Sequence, residues 1–367
     1  MRISVLIVLC LLLIGCSKSK EINIVYSSDI WGETSHCGCP GHPVGGIARK
    51  FSFIKEVRRY HRGVYYFEIG DTFFKPGINN EQIKSEIPKV DMYISIFNRM
   101  GLDVFVPGEV DLLAGVDYLR DRLAKQKFRV VLSNLTKKGA KDTVFDRYFV
   151  DKRYGYKICV FGLISPELYK SEVYEILDPV AVARDLLNEF KKSRCDFNVL
   201  LSHLGYNEDI KLLAEIPDSG LSLLIGSHDG GWMSSPRRDG DVIVVYGYRR
   251  GQAVGHIGFV GSLNIRMMKD ATRIVENKKT IAKLERELLS IIKPAGENDP
   301  EEFFKNDSNT LFKIRMLKEQ IVELKKNAEI NPATAYYFNR MVSMDSMYED
   351  DKEIEEIVKK AESNFVR

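Results

Sequence analysis

The sequence predicts a layered α/β domain, preceded by an export leader and followed by a helical extension. Three observations predict it. Short apolar runs rich in β-branched residues recur between Glu21 and Gly261, most of them bounded by Gly, Asp or Ser. Amphipathic stretches of helical period separate most of these runs, which implies parallel pairing through crossover connections. Chemistry-bearing residues collect just after the runs, where open α/β sheets bind their ligands. The 367-residue chain has a formal net charge of +3 with both signs interspersed. That balance argues for neither a nucleic-acid partner nor a strongly acidic one.

The first residues bear on compartment. Arg2 supplies a short positive region, and residues 3–14 form an apolar stretch too short to span a bilayer comfortably. Leu13-Ile14-Gly15-Cys16 has the pattern of a bacterial lipobox, with the small Gly15 before the cysteine. Residues 1–15 are therefore expected to be a signal peptide and Cys16 the lipidated first residue of the mature chain. An ordinary secretory signal or an uncleaved anchor is the alternative. Several acyl chains, each CH₂ contributing about 0.8 kcal/mol, would hold the protein on a membrane. Ser17, not Asp, follows the cysteine. The expected location is thus the bacterial envelope, periplasm-facing and on the outer membrane. In that oxidising space a disulfide is permitted. Cys159 reads as core and Cys195 precedes a strand, and neither has a partner evident from sequence.

Taken in order, the strand candidates are 22–26, Val64–Ile69, Val104–Val106, 129–132, 157–163, 198–201, 221–225, Val242–Tyr246 and 256–260. Helix candidates are Ile47–Tyr60, 90–100, 116–125, 180–192 and 208–214. The last two strands follow each other without a helix, so an antiparallel edge is expected there. From Leu263 the pattern changes. Ile274, Ile281, Leu284, Leu288 and Ile291 follow heptad spacing, and Ile314, Leu317, Ile321 and Leu324 repeat it. A helical hairpin with coiled-coil packing is expected, then a last short helix over 354–365. Its charged faces are a solvated surface or an arm for a protein partner or a second copy. The domain limits read as 1–15, 16–262 and 263–367.

The ends of the strands carry the chemistry. Asp29 follows the first, Gly70-Asp71 the second, Gly108-Glu109-Val110-Asp111 the third and Asn134 the fourth. Ser202-His203 follows the sixth and Gly226-Ser227-His228-Asp229 the seventh. A single Asp after a strand is usually a helix cap; so many polar strand ends together predict one shared site. The loop after the first strand, residues 28–50, also holds His36, Cys37, Cys39, His42, the pair Gly45-Gly46, and Arg49.

On these residues the chain resembles the calcineurin-like metallophosphoesterases, in particular their 5′-nucleotidase-like branch. That family shows D-x-H, G-D, G-N-H-D/E, a lone H and G-H-x-H in order. Asp29, Asp71, His203 and His228 match in place, whereas Trp31, Glu109, Val110 and Gly230 depart from the pattern. The CGC loop together with G-E-x-D resembles a divergent bacterial subgroup. The resemblance implies a four-layer αββα sandwich followed by the helical hairpin. It also implies divalent-metal hydrolysis of a small phosphorylated substrate. The metal ligands it implies are Asp29, Asp71, Glu109, His203 and His228. One ion, Zn, Mn or Fe, is expected in preference to two, because Trp31 and Gly230 remove two histidines. Val110 removes the family's proton donor, a role worth roughly 10²–10⁴-fold in rate. His36 or His42 could replace it, and Arg49 could meet a phosphate. Alternatively Glu109 pairs with a basic group such as Arg49 and no metal binds. Gly45-Gly46 reads as a phosphate-binding turn or as simple turn chemistry. Cys37 and Cys39 read as soft metal ligands, as a redox or structural thiol pair, or as packing residues. Nucleotide specificity does not carry over, since full-length relatives bind the base with a second large domain. The competing expectations are thus a metal-dependent phosphoesterase, a non-catalytic envelope protein on the same fold, and a redox or metal-handling lipoprotein.

Overall fold

The structure is a computed structural model that describes residues 21–37, 41–229, 231–331 and 333–365. The leader, Cys16 and Cys39 lie outside the described residues. The chain enters through β1 (Glu21–Ser28) and runs on through α1 (Ile47–Tyr60), β2 (Val64–Ile69), α2 (Asn80–Glu86), α3 (Pro88–Met100) and β3 (Val104–Val106). Next come α4 (Glu109–Leu112), α5 (Val116–Leu123), β4 (Arg129–Val130), β5 (Leu135–Lys137), β6 (Phe149–Asp151), β7 (Ile158–Ile164) and β8 (Tyr174–Ile176). Then follow α6 (Pro179–Lys192), β9 (Phe197–His203), α7 (Tyr206–Glu215), β10 (Leu223–Gly226), β11 (Arg237–Asp239) and β12 (Val242–Tyr246). The remainder is β13 (Ala253–Val260), β14 (Lys269–Asp270), α8 (Thr272–Ile292), α9 (Pro300–Phe303), α10 (Ser308–Lys326), β15 (Tyr336–Ser343) and α11 (Lys352–Phe365).

Among the described residues these strands build two stacked sheets and a small ribbon. The first sheet has seven strands in the order β14-β15-β13-β1-β2-β3-β4, and the second has six in the order β11-β12-β10-β9-β7-β6. Within each, the successive strands β1 to β4, and β12, β10, β9 and β7, are parallel. Buried on both faces, all of these but the short edge strand β4 read as almost unbroken apolar runs. The period of two decides which residues face which layer. In β9, Val199 and Leu201 enter the core shared with the first sheet, while Leu200 joins the cluster that also holds Leu186 and Phe190 of α6 and Leu212 of α7. Between the sheets, the Phe197 and Phe259 rings pack edge to face at 4.7 Å. On the other side, Phe53 and Ile54 of α1 and Tyr93 and Phe97 of α3 join the main core, and α11 packs on both helices. The four-layer αββα sandwich is therefore realised.

Three sequence expectations are corrected. β12 and β13 are not an antiparallel pair: they lie in different sheets. The link between them is held where the Arg250 amide donates to the Asp29 carbonyl at 2.7 Å. β13 then pairs antiparallel with both β1 and β15, and the second sheet is antiparallel at both edges, β11 and β6. Cys159 is bonded to Cys195, so Cys159 is more than a core residue. Lastly, the C-terminal region holds more than a hairpin. α8 and α10 do pack together through Ile281, Leu284, Leu288, Ile321 and Leu324. Beyond them β15 returns to the first sheet, and the Arg49 side chain binds the carbonyl of Met344 just after it. Its partner β13 lies about eighty residues upstream, and such non-local pairing has no local signature. Among the described residues, no helix is long and apolar enough to cross a membrane.

Candidate metal centre

Five strand ends deliver the site. Asp29 follows β1, Asp71 follows β2 by two residues, Glu109 opens α4 after β3, His203 closes β9 and His228 follows β10. The backbone turns sharply there: Asp29, Asp71 and His228 have φ of 50°, 31° and 75°. Non-glycine residues hold such conformations where surrounding structure over-determines them, and they gather at functional sites. The glycines before them are explained by close approach. A Cβ on Gly70 would lie 2.0 Å from His203 Nδ1, and one on Gly108 would lie 2.3 Å from Asp71 Oδ1. The G-D and G-E pairs of the sequence are therefore clearances for the site itself.

Asp71, Glu109, His203 and His228 each offer one ligand atom, and these atoms all lie within 4.8 Å of one another. His203 Nε2 is 2.6 Å from Glu109 Oε2 and 3.5 Å from Asp71 Oδ1, and His228 Nδ1 is 3.5 Å from Glu109 Oε1. Glu109 therefore faces the histidines and is not paired with Arg49. Asp29 stands beside the cluster: its carboxylate accepts the Ser28 hydroxyl at 2.7 Å and the His228 amide at 3.2 Å. In this arrangement Asp29 holds the His228 turn.

The residues fit a divalent cation. No lysine or arginine among the described residues forms an ion pair with Asp29, Asp71, Glu109 or Asp111, so negative charge is buried in excess. Burial pushes Asp71 well above the usual carboxylate range; His203 opposes this, and Glu109, Asp111 and Asp29 add to it. Burial also lifts Asp29. Burial disfavours a charged His203, yet Asp71, Glu109 and Asp29 more than reverse that and raise it to about 10. Burial works against Glu109 ionisation, but the His203 contact outweighs it and lowers Glu109. His228 Nδ1 is a buried nitrogen without a hydrogen-bond partner, the kind of atom that a ligand normally satisfies.

Hydrogen bonds around the cluster orient it. The Ser227 hydroxyl donates to the Ser202 carbonyl at 2.8 Å, so towards His203 Nδ1, 2.7 Å away, it is left to accept. Nδ1 then carries a proton, and Nε2 is the nitrogen directed at the carboxylates. Such fixing of the tautomer accompanies metal-ligating histidines. Asp111 accepts the amides of Thr72, Phe73 and Gly108, which ties the loop of Asp71 to the loop of Glu109. Burial raises Asp111 to about 7 against those three amides. Sequence reasoning missed the supporting roles of Ser227 and Asp111, although both lie inside the motifs it singled out.

Other residues singled out from sequence lie elsewhere. Asn134 bonds Ile164 and Leu177 and stitches β7 to the loop before β5. Arg49 is buried and donates to the carbonyls of Pro43 and Met344, so it is not at the cluster. His36 is paired with Asp350 at 2.9 Å, which removes it as a proton donor at the centre. His42 is exposed on the opening loop. Gly45 donates its amide to the Met344 carbonyl, and a Cβ on Gly46 would lie 2.6 Å from the His36 ring. The glycine pair thus serves the turn. Cys37 is half-buried, with its amide on Val44 and its sulfur accepting from the Val44 amide at 3.4 Å. Trp31 stands where the family has a histidine; its ring lies under the Arg249 guanidinium at 5.9 Å.

No protein-family model matches the sequence. A 2′,3′-cyclic-nucleotide 2′-phosphodiesterase/3′-nucleotidase of Haemophilus influenzae is 24% identical over 300 residues, covering 69% of this chain and 45% of that enzyme. The chain thus spans less than half the length of this curated relative. Among solved structures, a 5′-nucleotidase precursor from Thermus thermophilus superposes with a TM-score of 0.64 at 18% identity, over 94% of this chain and 59% of that one. The calcineurin-like phosphoesterase YfkN from Bacillus subtilis superposes with a TM-score of 0.60 at 12% identity, over 95% of this chain and 98% of that one. The chain is thus similar in sequence to a nucleotide phosphodiesterase/nucleotidase, and it shares its fold with the 5′-nucleotidase precursor and the calcineurin-like phosphoesterase YfkN.

Proposed function

We propose that the chain is a lipid-anchored, periplasm-facing phosphoesterase that hydrolyses a small phosphate ester with one divalent ion, Zn, Mn or Fe. The observation that carries this reading is the convergence of Asp71, Glu109, His203 and His228 within 4.8 Å, with His228 Nδ1 unpartnered. Two imidazoles with two carboxylates suit those ions. An ion bound there supplies Lewis-acid polarisation of the phosphoryl oxygen and an acidified water. The chain's own residues do the rest. Ser227 and Asp29 aim the two histidines, Asp111 locks the two carboxylate loops, and His203 gives up the proton it shares with Glu109 when the ligands are engaged. Val110 is buried and its amide donates to Asp71 at 3.0 Å, so it brings no acid to the leaving group. A substrate with a good leaving group, such as an aryl or acyl phosphate, is therefore favoured over an alkyl ester.

Metal analysis combined with p-nitrophenyl phosphate hydrolysis tests the reading. The expected result is about one ion per chain and turnover that falls at least 100-fold in His203→Ala. Metal-free protein whose residual turnover is unchanged by that substitution would sink it. A second reading, a non-catalytic or redox envelope lipoprotein, is favoured by Trp31 and Val110 standing at two histidine positions. Mass spectrometry of the membrane fraction, showing Cys16 triacylated or not, separates the anchor from the chemistry.

A further inference from the structure

A second polar site lies away from the metal centre, in a cleft of about 640 Å³ where α1, α8 and β15 meet. Each element presents one face to it. Lys279, Ala282, Lys283 and Arg286 stand at positions i, i+3, i+4 and i+7 along α8 and share a helix face. Glu56 and Tyr60 do the same on α1, and Arg340 and Val342 are two residues apart on one face of β15. The small Ala282 leaves room between the cations. Four positive side chains thus meet one carboxylate, Glu56.

None of these five charged groups forms an ion pair among the described residues. Further along the same hairpin the pattern is the opposite: Lys313, Arg315, Lys318 and Lys325 each lie against a glutamate. Partial desolvation together with Arg340 lowers Lys279 to about 8, and burial holds Arg340 below its usual range. Glu56 and Glu276 offset this only in part and close no ion pair, and cations gathered in a cleft in excess of carboxylates are the mark of an anion site. The remaining wall is apolar and aromatic: Val342, Tyr348, whose hydroxyl is hydrogen-bonded to Arg340, and Tyr60 and Met347, the last two 71% and 69% exposed at the rim.

We propose that this cleft binds a phosphate-bearing ligand, its oxygens met by Lys279, Lys283, Arg286 and Arg340 and its apolar body by Tyr60, Tyr348 and Met347. Arginine and lysine together offer the fork and the point charges that phosphate oxygens accept. The site does not depend on hydrolysis at the metal centre.

The test uses the full chain stripped of metal, so that phosphate cannot report from the metal cluster. Inorganic pyrophosphate is titrated by calorimetry, and co-sedimentation is measured with vesicles of phosphatidylglycerol and, separately, of phosphatidylcholine. Binding of pyrophosphate alone identifies a free phosphorylated ligand. Binding to phosphatidylglycerol beyond phosphatidylcholine identifies a lipid headgroup. Either is expected to weaken at least tenfold in Lys279→Gln/Lys283→Gln and to persist in His203→Ala. Arg340→Gln should weaken it too; since β15 lies within the sheet, the double variant on the exposed helix face stands if that one fails to fold. Absence of binding in both arms, or equal binding by wild type and the double variant, overturns the proposal.

Discussion

The buried carboxyl of Asp209 shows how much one residue can govern. It accepts the hydroxyls of Ser202 and Tyr246 beneath β9 and β12. Burial lifts it to about 7, against those two hydrogen bonds. The unfolded chain ionises it near 3.8. The folded state therefore holds this proton more tightly, and Asp209's contribution to stability is full below about pH 4 and is lost as pH rises through 7. Asp209→Asn should remove that slope. Relative to wild type the variant should gain on the order of 2 kcal/mol between pH 5 and pH 7, read as the change in urea midpoints; parallel midpoints at both pH values would refute it. Residue identity at the metal centre was legible in the sequence because each ligand follows a strand within a short motif. The roles of Ser227 and Asp111 were not, since a serine or aspartate beside a ligand acquires a role only when its hydrogen-bond partners come from other strands. His36 shows the same limit: its partner Asp350 is more than 300 positions away.

At the scale of elements, the second sheet is held to α6 by more than packing. The bond between Cys159 in β7 and Cys195 just after α6 closes a separation of 36 residues. Loop-closure entropy for such a link corresponds to about 3–4 kcal/mol in the chain-entropy treatment. Cys195→Ser is expected to lower unfolding free energy by about 2–4 kcal/mol without loss of metal binding, as measured by denaturant unfolding in non-reducing buffer. An unchanged midpoint would show that the bond contributes nothing. The strands that joined by parallel crossovers were readable because they are continuous apolar runs. β5, β6, β8, β11 and β14 were not, being two or three residues long and partly exposed. β15 was missed for a different reason. Its register is set by β13, with Val260 opposite Tyr336 and Ala253 opposite Ser343, and not by any alternation of its own.

At the scale of the molecule, the metal centre joins both sheets: Asp71 and Glu109 come from the first, His203 and His228 from the second. A bound ion should therefore resist separation of the layers. At an ion concentration 100 times the dissociation constant, binding adds about 2.7 kcal/mol, so chelation should lower the thermal midpoint by several degrees, and re-addition should restore it. Scanning calorimetry with and without chelator reads this directly; identical midpoints would show that the ion is not held by the native fold. By itself, the sequence determined the α/β class, the inner parallel strands, the ligand types and the hairpin. These follow from short-range periodicity, from turn chemistry and from motifs a few residues long. Only the tertiary structure decided which strands go to which of the two sheets, that β15 and α11 close the first of them, and that Asp29 holds a turn while four other side chains converge. It also decided that the hairpin's cations gather beside Arg340. The physical reason is the same in each case: such contacts join residues tens to hundreds of positions apart, and their energy depends on burial and geometry that no local stretch of sequence contains.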